Sequence, residues 1–224
     1  MKTKYLFLLI IVLGFSLGSC SSNKNQASSA SVVNGIIQFE DPNFLKALLN
    51  NDSAIDTNGD NQISIEEAKA VTRLDVSDSR IKSLNGISYF VNLTYLNCSN
   101  NQLTTLDLSK QTELIVLYCG SNKLTSLDLS KQTHLTTLYC RFNQLSSLDF
   151  SKQIELTFIS CESNQITSLD LSKQTQLTYL NCIENQITTL DLSKQTELKL
   201  LKCARNPNLT SIILNTTNAL EQKS

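Results

Sequence analysis

Six cysteines, Cys98, Cys119, Cys140, Cys161, Cys182 and Cys203, recur twenty-one residues apart. Evenly spaced thiols could pair as disulfides or hold a metal ion. In-register parallel rungs would set their Cβ vectors side by side, a poor start for a bridge. No second ligand type shares the spacing, which argues against zinc. Each cysteine instead fills a slot where an apolar side chain should point inward, so the column reads as small buried hydrophobes. Two more ladders share the period: Asp107, Asp128, Asp149, Asp170 and Asp191, and three residues on, Lys110, Lys131, Lys152, Lys173 and Lys194. A strip of carboxylates could collect calcium, but the matching lysines make solvated, alternating charge the better reading. The lone histidine, His134, stands in a polar turn where other copies carry Glu113, Gln176 or Glu197. With no glycine-rich phosphate loop, metalloprotease motif or serine elbow, these residues make no catalytic set, and the chain is not expected to be an enzyme.

The elements that position these columns are copies of one sentence. The best preserved runs from Leu93 to Glu113, with the spacing Leu93, Leu96, Cys98, Asn101, Leu103; it recurs from Leu114, Leu135, Leu156 and Leu177. A divergent twenty-two-residue copy precedes at Leu74, Val76 and Ile81, and the copy opened by Leu198 carries an insertion at Asn206-Pro207-Asn208-Leu209. Such a period marks a solenoid whose units cannot bury a core alone. The pattern resembles a leucine-rich repeat with cysteine in place of the third leucine. The resemblance implies an α/β repeat solenoid over residues 71–214, with parallel strands on a concave face. The in-out alternation of Leu106-Asp107-Leu108 and its equivalents makes the convex side extended and non-helical. Asn101, Asn122, Asn143, Asn164 and Asn185 fall at the turns, where a buried amide can bond backbone groups of its own and the next coil. Ile81 to Leu93 looks like the opening repeat of internalin-type bacterial proteins.

Between these copies the framework barely changes, so specificity should lie in the strand positions that point outward. The candidate partner-binding residues are Tyr95, Asn97, Tyr118, Tyr139, Phe158, Tyr179, Asn181 and Lys202, with Arg141 and Glu162 at the edge of the same face. Seven strands stacked about 4.8 Å apart give a strip on the order of 35 Å long. Exposed aromatics offer contact area at low entropic cost, which suits a protein partner; a glycan is the alternative ligand, and a structural spacer the third. Tyrosines on a sheet also simply pack against one another.

Residues 36–70 follow another grammar. Asp41-Pro42 reads as a cap and first turn, followed by Phe44, Leu45, Leu48 and Leu49 on one helix face. The dodecamer Asp56 to Glu67 resembles an EF-hand calcium loop. That implies Ca2+ held by Asp56, Asn58, Asp60, the carbonyl of Gln62, Ser64 and Glu67, with Asn61 standing where the family has glycine. Ser64 and Glu67 also form a capping box for a helix reaching about Ala70. This small helical, EF-hand-like cap would cover the first edge of the solenoid, held shut by calcium.

The start of the chain, with Lys2 and Lys4 before the apolar run Tyr5 to Leu13, reads as an export signal over residues 1–19. Leu17-Gly18-Ser19-Cys20 resembles a bacterial lipobox, which implies a lipid anchor on Cys20 and a place in the cell envelope, at the outer membrane. A serine-rich tether is expected over 20–35 and a polar, disordered tail over 215–224. With 19 basic and 20 acidic side chains the chain lacks the basic footprint of a nucleic-acid binder.

Overall fold

The computed structural model describes residues 30–51 and 54–215. The export signal, Cys20 and the tail from residue 216 lie outside that range. The chain opens with a hairpin, β1 (Val32–Val33) and β2 (Ile36–Ile37), then helix α1 (Pro42–Leu49) and helix α2 (Ile65–Ala70). Strand β3 (Arg73–Asp75) begins the solenoid, followed by β4 (Tyr95–Asn97), β5 (Val116–Tyr118), β6 (Thr137–Tyr139), β7 (Phe158–Ser160) and β8 (Tyr179–Asn181). The last turns hold β9 (Thr189–Leu192), β10 (Leu200–Lys202) and β11 (Ser211–Leu214).

Seven of these strands form one parallel sheet, β3 through β8 and then β10. Alternation does what the sequence predicted: Leu96, Leu117, Leu138, Ile159 and Leu180 are buried and their strand neighbours face out. The cysteine column lies directly behind, with Cys98 to Cys182 inaccessible and all six thiols free. Burial pushes the Cys98 thiol up to about 12, and burial reinforced by neighbouring cysteines raises Cys119 to Cys182 well above the ordinary range. Cys203, at the end of the column, is half-buried. Iodoacetamide under native, mildly alkaline conditions should therefore modify Cys203 alone among the six, as read by peptide mass spectrometry. Rapid alkylation of Cys140 would contradict the column.

After each strand the chain turns through a left-handed residue two places beyond the cysteine, Asn100, Ser121, Phe142, Ser163, Glu184 and Arg205. The next residue is the asparagine that fixes the turn. The Asn143 amide donates at 3.0 Å to the carbonyls of Cys140 and Cys119 and accepts the Leu124 N–H at 3.0 Å. Each such asparagine thus joins its own coil to the preceding one rather than to the next. Asn206 belongs to the same column, bonding Cys182, Cys203 and Ile187, so the insertion in the last copy starts only at Pro207. β11 accordingly pairs with β9 twenty-two residues back, Ser211 beside Thr189.

A second buried amide column runs down the convex side, and the sequence reading passed over it as part of a polar turn. Gln111, Gln132, Gln153, Gln174 and Gln195 are almost wholly inaccessible. Gln132 Nε2 donates to Leu108 O at 2.7 Å and to Gln111 O at 3.1 Å, and the others repeat this one rung along. Two amide ladders, one at each end of the coil, clip successive turns together by satisfying carbonyls that the short strands leave unpaired. The outlying charges are solvated: Asp128, Asp149, Asp170 and Asp191 accept the N–H of the serine two residues on, which holds these four carboxyls below the usual range.

The cap starts earlier than the sequence boundary at residue 36. Val33-Asn34-Gly35-Ile36 makes a two-residue hairpin with both central residues at positive φ, and Ala30 is buried. Asn-Gly between apolar pairs is a strong hairpin signal, so residues 30–35 are folded structure and not tether. The hairpin grips the dodecamer, Ile37 N–H to Ile63 O and Ile65 N–H to Gly35 O, both at 2.9 Å. Asp41 caps α1 through Asn43 N–H and reaches across to the Lys82 and Ser83 N–H groups of the first coil. Phe44, Leu48 and Phe90 are fully buried beneath this contact, with the Phe39 and Phe44 rings edge to face at 5.2 Å. Apolar burial of this kind, about 1.5–3 kcal/mol per large side chain, seals the first edge of the solenoid.

Candidate concave recognition surface

The outward residues of the sheet assemble a single stack of rings. Tyr118 and Tyr139 lie 4.5 Å apart and nearly parallel, Tyr139 and Phe158 4.5 Å apart, and Phe158 and Tyr179 4.1 Å apart at 4°. Tyr95 joins the near end at 5.7 Å, and the Arg73 guanidinium lies over it, 3.5 Å from the ring centroid. The stack crosses from one outward column to the other because Tyr118 and Tyr139 are partners in register, as are Phe158 and Tyr179. All five rings are half-buried. From Tyr118 to Tyr179 the rings are stacked face to face, while Tyr95 is tilted at 46° to Tyr118. Burial raises the Tyr95 and Tyr139 phenols, which stay protonated as hydrogen-bond donors.

The edge of this strip is charged and cross-linked. Arg141 lies 3.5 Å from Glu162, which also accepts from the Asn181 amide. One coil along, Glu184 takes the Ser163 hydroxyl at 2.6 Å and pairs with Arg205. The predicted contact set therefore divides. Tyr95, Asn97, Tyr118, Tyr139, Phe158, Tyr179, Arg141, Glu162 and Lys202 share the accessible face. Asn181 does not: it is 5% exposed and committed to Glu162 and the Ile183 N–H, so it supports the strip without offering itself. Ser160 is likewise covered. His134 sits apart on an exposed turn, 3.7 Å from Glu155.

The dodecamer folds as a tight loop held by its own side chains. Asp56 Oδ1 accepts the Gly59 N–H at 2.8 Å and Oδ2 the Asn61 N–H at 2.9 Å; Asn58 Oδ1 accepts from Asp60 and Asp60 Oδ1 from Gln62. Asn61 adopts the left-handed φ of 59° expected of a residue in the glycine position, and Ile63 is fully buried. Glu67 closes the loop through four hydrogen bonds, from the N–H and hydroxyl of Thr57 and of Ser64. Burial opposes its ionisation, but these bonds outweigh it and hold the carboxyl at about 2. Among the described residues no group of three or more His, Cys, Asp or Glu converges as a metal cluster would. The oxygen donors suit calcium chemically, while both Glu67 oxygens are already occupied by hydroxyl and amide donors.

A family model described as leucine-rich repeats in two copies matches residues 69–110 and again 112–153. Together with the seven parallel rungs and the asparagine ladder, that match settles the architecture. The fold is a leucine-rich repeat solenoid. Internalin J of Listeria monocytogenes serotype 4b (strain F2365) is 41% identical over 74 residues, 33% of this chain. The match spans only 8% of that much longer relative. Among solved structures, internalin C2 from Listeria monocytogenes superposes with a TM-score of 0.67 at 22% identity, over 83% of this chain and 90% of that one. The internalin inlF of the same organism gives 0.52 at 22% identity, over 83% of this chain and 72% of the other. These leucine-rich repeat structures share the fold with the chain.

Proposed function

We propose that this leucine-rich repeat protein is a lipid-anchored recognition scaffold of the bacterial cell envelope that binds a protein partner through its concave aromatic strip. The observation that carries this reading is the ring stack. A sugar ring packs on an aromatic face, and here the faces of Tyr118, Tyr139 and Phe158 are covered by their neighbours. What remains is a rigid row of ring edges and hydroxyls flanked by Arg141 and Glu162, the composition of a protein contact more than of a glycan platform. The stack also spends little entropy on binding, since its side chains are already ordered. Anchoring at Cys20 rests on the lipobox resemblance alone. Immobilised protein should retain a protease-sensitive ligand from envelope extract, and the variant with Tyr118, Tyr139 and Tyr179 replaced by Ser should not. Retention of a polysaccharide instead would overturn the reading.

Calcium in the dodecamer is part of the same proposal. Asp56, Asn58, Asp60 and the Gln62 carbonyl would supply oxygens, with Glu67 joining if the Thr57 and Ser64 hydroxyls rotate away. Because the loop is clamped to the hairpin, and α2 to the first coil through Lys69 O and the Asn92 amide, a cation there would stabilise the whole cap by mass action. At about 100 times the dissociation constant the gain is roughly 2.7 kcal/mol. The melting temperature should rise with millimolar CaCl2 and fall back with EDTA, and this response should vanish in Asp56→Asn, Asp60→Asn. A melting curve indifferent to both additions would remove calcium from the account.

A further inference from the structure

The first end of the concave strip is a cleft unlike the rest of it, about 670 Å3 in volume and walled by α1 on one side and by β3 with its following turn on the other. Phe44 and Leu48 bury one face of α1, which leaves Asn43, Lys46 and Asn50 along the cleft. Strand alternation turns Arg73 and Asp75 to the concave side while Leu74 is buried. Beyond β3 the chain bends through two left-handed residues, Asp78 and Arg80. Cross-links hold the walls at a fixed distance: the Asn43 amide donates to Arg80 O at 3.2 Å and the Asn51 amide to Asp75 O at 2.7 Å. Asp75 is engaged by Ser77 and Asn97. Arg73 lies over Tyr95, the first ring of the stack, so cleft and aromatic strip are continuous.

Lys46 and Arg80 form no ion pair among the described residues, although both line the cleft. Three cations, Lys46, Arg73 and Arg80, face two carboxylates, Asp75 and Asp78. That is enough positive charge to favour a single carboxylate, and the fixed Asp residues repel a doubly charged phosphate. The side-chain amides present both donors and acceptors, which match a peptide main chain and have no counterpart on an inorganic anion.

We propose that this cleft takes an acidic segment of the partner polypeptide, placing a Glu or Asp carboxylate between Lys46 and Arg80. The assignment rests on the protein-recognition reading above and adds the polarity of the partner's footprint, with its acidic end at the cap and its apolar part along the rings. The test uses the intact 15N-labelled protein and two capped pentapeptides, acetyl-Gly-Gly-Glu-Gly-Gly-amide and its Gln isostere. The Glu peptide should shift the amide signals of Ser77 to Arg80 and the side-chain amides of Asn43 and Asn50. Affinity should drop about tenfold or more for the Gln peptide, and equally for the Glu peptide on the Lys46→Gln, Arg80→Gln protein. Both substitutions are at exposed positions, so an unchanged melting temperature serves as the folding control.

Shifts produced equally by inorganic phosphate or by the Gln peptide, shifts scattered over other surface lysines, or no shift at millimolar peptide would overturn the proposal. The Tyr118, Tyr139 and Tyr179 to Ser protein should still bind the Glu peptide. Failure of the cleft is thereby read separately from failure of the aromatic strip.

Discussion

Replacing Asn143 with Ala is expected to lower stability by about 2–4 kcal/mol, a large loss for one polar side chain. The amide of Asn143 serves four backbone groups on two coils: the Cys119 and Cys140 carbonyls at 3.0 Å, the Arg141 carbonyl at 3.4 Å and the Leu124 N–H. Its removal strands the Leu124 N–H in a buried turn that water does not reach, and an unsatisfied buried donor costs more than a made bond contributes. It also unfastens the turn at Phe142, a bulky residue held at a φ of 52°. Because each coil touches only its neighbours, the damage at this central rung should broaden the urea transition as well as move it, as parts of the array melt separately. Asn143→Asp is a sharper probe. It keeps an acceptor for Leu124 but turns a charged oxygen toward two carbonyls, so it should be at least as destabilising at neutral pH and should recover in part as acid neutralises the carboxylate. Circular dichroism in urea, with hydrogen exchange at the Leu124 amide, checks both.

Replacing Tyr118, Tyr139 and Tyr179 with Ser is expected to weaken partner binding about a hundredfold or more, since clustered aromatic anchors dominate such interfaces. Stability should fall too, because each stacked pair contributes about 0.5–1.5 kcal/mol beyond its burial. The conservative series separates the two effects. Phe at the three positions keeps the ring contacts and deletes only the hydroxyls, so it should melt like the parent while binding more weakly. If Phe and Ser variants bind as the parent does, the rings serve only to hold the sheet together.

The strands, the cysteine column and the asparagine turns were legible in the sequence because each repeats at one period and each demands its residue type: an alternating Leu and Cys to face the core, an amide where backbone turns inside. The glutamine column repeats as faithfully, yet it stands in Ser-Lys-Gln-Thr, a composition that reads as a solvated turn. Only its position against the preceding coil makes Gln132 or Gln153 a buried clip. An invariant Gln in a turn that otherwise tolerates His134 or Ile154 was the available signal. The hairpin at Val32 to Ile37 was hidden by the serine-rich stretch before it, although Asn34-Gly35 marks the turn. Outward orientation was read correctly at Tyr95, Tyr118, Tyr139, Phe158 and Tyr179, but accessibility was not. Asn181 points the same way as Asn97, and Glu162 on the neighbouring coil covers it. The cleft beside Arg80 could not be foreseen from spacing, since it joins a helix and a turn through Asn43 and Arg80, 37 residues apart.

The most direct test of the recognition surface is a photo-crosslink in cells. A photoreactive phenylalanine at position 118 keeps the aromatic body of Tyr118 within the stack, and the same residue at position 128 sits among the solvated charges of the convex side. Illumination should yield a protease-sensitive adduct of one discrete mass from position 118 and none from position 128. Adducts from both positions alike, or from neither, would contradict a concave strip built to hold a protein.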